Sequence, residues 1–133
     1  MKVMNKILII IEFIIAFFAV TYIWILSLVT LPLSVFGIIK GELSFVIPVA
    51  ITFLASLGFW GIIQLLIKIV NPNLPISKPN HIKVYLLAGI VALVSGVIYM
   101  QAKEFNHLIM FLMPALVTIH FSYLEKGYLF KGS

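Results

Sequence analysis

The sequence predicts an all-α fold, a polytopic integral membrane protein built as a four-transmembrane-helix bundle with both termini on the cytoplasmic side. Three observations carry that expectation. The chain is 63% hydrophobic and 10% charged over 133 residues, far from the usage of soluble globular proteins. Its apolar residues gather into four runs, each about as long as a helix must be to cross roughly 30 Å of hydrocarbon. Its basic residues, all Lys, stand at the ends of those runs, where ammonium groups reach headgroups and water. Little mass remains for a folded unit outside the bilayer, so residues 1–133 read as a single membrane domain.

The first span is expected over 7–31, apolar except for Glu12. It is too long for the apolar core of a signal peptide and lacks a small-residue cleavage site, so it reads as a retained anchor. Pro32 should end it. Residues 33–39 then form a short apolar connection at the membrane interface, and Lys40 and Glu42 mark water. The second span, 43–67, carries Pro48 near its first turn, where a missing N–H costs least, and Lys68 closes it. Residues 71–81 contain three prolines and several turn formers, which favour an extended polar loop. The third span, 84–102, leads through a tight turn at Lys103 and Glu104 into the fourth, 105–124, so these two helices must be antiparallel neighbours.

Orientation follows from the lysines. Lys2, Lys6, Lys68, Lys78, Lys83, Lys126 and Lys131 fall at the N-terminus, the proline loop and the C-terminus, leaving Lys40 and Lys103 for the other two connections. Positively charged segments face the cytoplasm, which places the chain in the inner (plasma) membrane with both ends inside. Tyr22, Trp24, Tyr85, Tyr99 and Tyr128 read as interfacial aromatics. The charge is topological and gives no clustered basic face for nucleic acid.

Helix contacts within a bilayer depend on small residues that let backbones approach. Ala88, Ala92 and Gly96 form such a stripe on the third span and should pack against another helix. Thr52, Ser56, Gly58 and Gly61 make a looser small and polar surface on the second.

Ionisable groups inside spans are costly and mark sites. Glu12 and His120 each lie about five residues inside the cytoplasmic end of their spans, at similar depth at 1.5 Å per residue, with Gln64 near the same layer. Glu12 shares a helical face with Ala16, Ala19, Ile23, Ser27 and Thr30, so it is expected to point inward. The sharper reading pairs Glu12 with His120, with Gln64 beside them, lining a cytoplasm-facing cavity that takes up a proton or a cationic ligand. The plainer reading makes each a structural group: Glu12 snorkelling, His120 near the carbonyl of Met110 that Pro114 frees. His81 and His107 are expected in connections, solvated.

An enzyme is not expected. The chain has no Cys, and no Asp or Arg, so thiol chemistry, a metal cluster and a phosphate-handling centre all lack their residues. Neither Ser56 nor Ser95 has the context of an intramembrane serine nucleophile. No cofactor is implied. The span count and one acid in the first span resemble the small multidrug resistance transporters in those two respects alone. Glu12 stands in Ile10-Ile11-Glu12-Phe13-Ile14, without that family's Ala-containing motif before the acid, and its later signatures are absent, so no membership is assigned.

Two functional classes follow. The first is a small non-enzymatic protein that binds another membrane protein, as an accessory subunit or as an immunity protein shielding the membrane from a pore-forming toxin. The second is a homodimeric proton-coupled transporter of cationic or small-molecule substrates that uses Glu12 and His120.

Overall fold

The computed structural model describes residues 3–99 and 105–131. All regular structure among them is helical: α1 (Val3–Ile39), a 3₁₀ turn (Leu43–Phe45), α2 (Val46–Val70), α3 (Pro79–Tyr99), α4 (Phe105–Leu124) and a short α5 (Lys126–Lys131). Three helical segments, Val3–Ile39, Leu43–Val70 and Pro79–Tyr99, are long and apolar enough to cross a membrane, and α4 carries a shorter apolar stretch, Leu108–Leu124. The architecture is compatible with a multi-pass helical membrane bundle.

The element boundaries differ from expectation at two places. Pro32 does not end α1, which continues unbroken to Ile39, so residues 33–39 are helix and not an interfacial connection. Its 37 residues reach about 55 Å at the ordinary rise. Gly41, at φ 95°, then reverses the chain in the left-handed region that glycine enters without cost. At the other end of α2 the loop is shorter than expected: α3 begins at Pro79, whose fixed φ and absent N–H suit the first turn of a helix. Asn80 to Lys83 are therefore helical, and His81 is exposed on that first turn. His107 likewise lies within α4. The turn at Lys103 and Glu104 and the end of the third span at Ala102 lie outside the described residues.

The helices pack in a ring, α1 on α2, α2 on α3, α3 on α4 and α4 on α1, with α2 also touching α4 across the middle. Among the described residues, α1 and α3 do not approach each other. A core of Phe17, Phe59, Ile62, Leu65, Ile82, Phe121 and Leu129 runs through the centre. Phe17 and Phe59 meet edge to face at 5.8 Å, and Trp24 leans on Phe59 at 4.7 Å, separations typical of favourable aromatic pairs.

The backbones of α2 and α3 meet at Gly58 and Gly89. A methyl added to Gly89 would stand 2.8 Å from the Cα of Gly58, and one added to Gly58 would press on the backbone of Gly89. Small residues therefore govern this seam, but through Gly58 and Gly89 more than through the Ala88-Ala92-Gly96 stripe. Ala92 and Gly96 are buried and Ala88 half-buried. Gly96 packs on the ring of Phe111 in α4, 3.1 Å from where its Cβ would be.

Candidate functional site

Glu12 and His120 meet. Imidazole Nδ1 and carboxylate Oε1 are 2.7 Å apart, a short distance that fits a charge-assisted bond donated by Nδ1–H. The two residues are 108 positions apart in sequence, and the contact exists because α1 and α4 lie side by side. The pair sits on the flank of the bundle, with side-chain exposures of 46% for His120 and 35% for Glu12. Glu12 thus does not point inward. Its helix buries Ile9, Ala16, Phe17 and Val20, a stripe that Glu12 only borders. On α4 the buried face is Phe111, Pro114, Val117, Thr118 and Phe121, while Asn106, Met113 and His120 are exposed.

A second bond gives the level of this pair. The indole Nε1–H of Trp24 donates to Ser56 Oγ at 2.9 Å, tying α1 to α2 well within both helices. Trp24 therefore makes a helix-to-helix contact near the middle of α1. Twelve residues separate Trp24 from Glu12, and twelve separate Ser56 from Lys68, each about 18 Å of helix. Along these antiparallel helices, Glu12 lies level with Lys68, where α2 leaves its apolar run. Half-exposure costs least at such a boundary.

Gln64 belongs to a different constellation. It is 4% exposed, and its Oε1 accepts a bond from the backbone N–H of Ser77 at 2.6 Å. The carbonyl of Ser77 in turn accepts from the Tyr128 hydroxyl at 2.7 Å. A loop residue is thereby held from both sides, by α2 and by α5. Ile76 packs on the core next to it, so the end of the loop is tucked against the bundle while residues 71–75 and Lys78 remain exposed. The acceptor role of Oε1 fixes the amide orientation, since a flipped amide would set two donors face to face. This leaves Gln64 Nε2 buried without a partner among the described residues.

Glu12, Gln64 and His120, expected to line one cavity, line neither the cavity between α1, α2 and α3 nor the one between α3 and α4. A cavity of about 340 Å³ lies between α3 and α4; another, about 190 Å³, lies between α1, α2 and α3 with Phe111 and Thr118 of α4 on one side. Phe17, Trp24, Phe59, Gly89, Leu93 and Gly96 are among its walls. Of the Ser and Thr hydroxyls on its walls, Ser27 donates to the Ile23 carbonyl, Thr52 to Pro48 and Thr118 to Pro114. Such bonds to the residue four positions back satisfy a hydroxyl inside its own helix. Among the described residues, no three His or Glu gather as a metal site would require.

Sequence reasoning missed Ser77, Tyr128 and Gly89. The two glycines of α3, one heptad apart at Gly89 and Gly96, were a usable signal for a packed face. Ser77 and Tyr128 offered none, because their bond depends on where α5 folds back. No protein family, curated protein or solved structure matches this chain.

Proposed function

We propose that this chain is a four-span inner-membrane protein, both termini cytoplasmic, that binds another membrane protein along its α1–α4 flank, as an accessory subunit or an immunity protein. The observation that carries the reading is the Glu12–His120 pair, an exposed hydrogen-bonded acid and imidazole on the side of an otherwise apolar bundle. A polar pair on a flank can form new hydrogen bonds with a partner helix, and interhelical polar contacts are a known means of specific association in bilayers. The neighbouring surface is apolar: Leu8, Ile15 and Phe18 on α1 and Leu116 and Ile119 on α4 are exposed.

Site-specific photo-crosslinking in native membranes tests this. Probes at Ile15 and Leu116 on the proposed flank should capture a distinct membrane protein, whereas probes at Phe53 and Trp60 on α2 should not. Capture equal at all four positions, or of lipid alone, refutes the flank as an interface. Capture of a second copy of the chain instead favours the alternative, a homodimeric proton-coupled transporter. That reading draws on the same 2.7 Å acid–imidazole contact, a pair of the kind that holds and passes protons. It requires that Glu12→Gln abolish transport while the folded protein persists.

A further inference from the structure

We propose that the bundle takes the end of one phospholipid acyl chain into its core, from the groove between α3 and α4, past Phe111, into the cavity between α1, α2 and α3. The inference rests on the membrane placement proposed above, but not on any protein partner.

Small residues make the room inside. At Gly58 and Gly89 the backbones of α2 and α3 are in contact. Farther toward Gly41 the same helices line the cavity with Ala55, Ala92 and Gly96, and among the described residues α1 and α3 face each other across it without meeting. The bulkier walls are Phe17, Trp24 and Phe59. Such a space does not invite water, since an apolar cavity of about 150 Å³ lined by Leu, Ile and Phe stays dry and binds benzene. At about 190 Å³ this one is larger, and left empty it would deprive its walls of their dispersion contacts.

The way in is apolar throughout. The groove of about 340 Å³ is lined by α3 and α4, with aliphatic side chains and Phe111, and Val94, Leu108 and Leu112 stand exposed along it. In a bilayer such a groove faces hydrocarbon, so acyl chains are the molecules at hand to fill it, and they are as apolar as its leucines. Ile90, Leu93 and Phe111 line both the groove and the cavity, which makes these three side chains the partition between them. Phe111 is the one that gives way: its ring edge rests on Gly96, which has no side chain to hold it. Beyond it the cavity walls extend along α3 from Leu86 to Tyr99, about 20 Å of helix. A chain end lying there runs parallel to the helices, as its neighbours in the bilayer do.

The test places the full chain in phosphatidylcholine vesicles whose acyl chains carry bromine, which quenches indole fluorescence on contact. Of the two tryptophans, Trp24 lines the cavity and Trp60 is exposed on α2, so Trp60→Phe leaves Trp24 as the reporter. Its emission should be quenched. Ala55→Leu and Ala92→Leu, which fill the cavity from different helices, should each lower that quenching about twofold, because a close-packed interior leaves no room for the chain. Phe111→Ala, which removes the partition, should increase it. Val91→Leu, on the exposed side of α3, should leave it unchanged. Quenching that survives both fillings, or that Val91→Leu lowers equally, means that bromine reaches Trp24 from outside the bundle and overturns the proposal. An unquenched Trp24 also overturns it, and the native chain, which keeps Trp60, then separates the two readings. If its emission is quenched, the chain lies in the bilayer and the acyl-chain site alone fails; if not, the membrane placement fails with it.

Discussion

The two ends of the bundle are held by different kinds of bond. At the Lys68 end the links reach across the chain: Glu12 to His120, and Tyr128 to Ser77, 51 positions away. With Gln64 bonding Ser77 and Leu129 buried, the loop and α5 close that end. Toward Gly41 the hydroxyls of Ser27, Thr30, Ser34 and Thr52 bond to carbonyls of their own helices. Those bonds satisfy polar groups without joining helices, and in this half Trp24 to Ser56 is the cross-helix side-chain bond among the described residues. The cavity opens in this half, and α1 there exposes Leu33, Phe36 and Ile39. Polar groups stiffen a helical bundle only where they bond across it.

The seam shared by both ends gives the largest expected effect. Gly58→Leu places a side chain against the backbone of Gly89, which cannot move aside without parting α2 from α3. The cost should exceed about 4 kcal/mol, the range of severe core disruption, and yield no folded protein in detergent. Gly96→Leu meets the ring of Phe111 next to the cavity, and a side chain can turn. Its cost should be about 1–3 kcal/mol, that of ordinary overpacking. Thermal unfolding of the two variants sharpens the comparison, and a Gly96 variant as unstable as the Gly58 variant would break it.

The Glu12–His120 contact should be worth less, because both side chains are partly exposed. Glu12→Gln and His120→Gln are each expected to lower stability by about 1 kcal/mol, the order of one net hydrogen bond. In a double-mutant cycle the combined loss should fall short of the sum, since the second change removes a group already unpartnered. Strict additivity would mean that the long-range bond contributes nothing to closing the Lys68 end.

The smallest effect concerns Glu125, and its sign follows from linkage. A carboxyl raised above its ordinary value binds a proton more tightly in the folded state, so folding is favoured at low pH. Stability then declines as pH rises from the ordinary carboxylate range through the raised value. Glu125→Gln should remove that decline and leave the protein slightly more stable at neutral pH, by a fraction of a kcal/mol once solvent screening is allowed for. A variant less stable at neutral pH would show that its charge, acting on Lys68, outweighs its burial.

Much of the fold was legible because apolar runs and lysines record length and level. The fourth helix occupies 105–124 as read from sequence, and the matching depths of Glu12 and His120 anticipated their contact. Facing was harder to read. With apolar residues on every side, periodicity no longer distinguishes a buried stripe from an exposed one, so Glu12 was assigned to the interior and its pair to a cavity. The end of α1 was misread for a related reason: Pro32 stands in an apolar run that supports helix on both sides, and membrane helices tolerate proline. Gln64 shared an approximate depth with the pair, yet its partner, Ser77, is fixed by how the loop folds back, which sequence spacing does not record.

The 108-residue separation between Glu12 and His120 also sets a timetable. In a chain inserted as it is made, the acid of α1 enters long before its imidazole exists, and at ordinary rates of synthesis the wait is roughly 5–20 s. During that interval Glu12 must stay near the surface or be shielded by another protein. A truncated chain lacking α4 would never end the wait. The same contact that closes the finished molecule therefore marks an unfinished one, through an acid with no partner on its first helix.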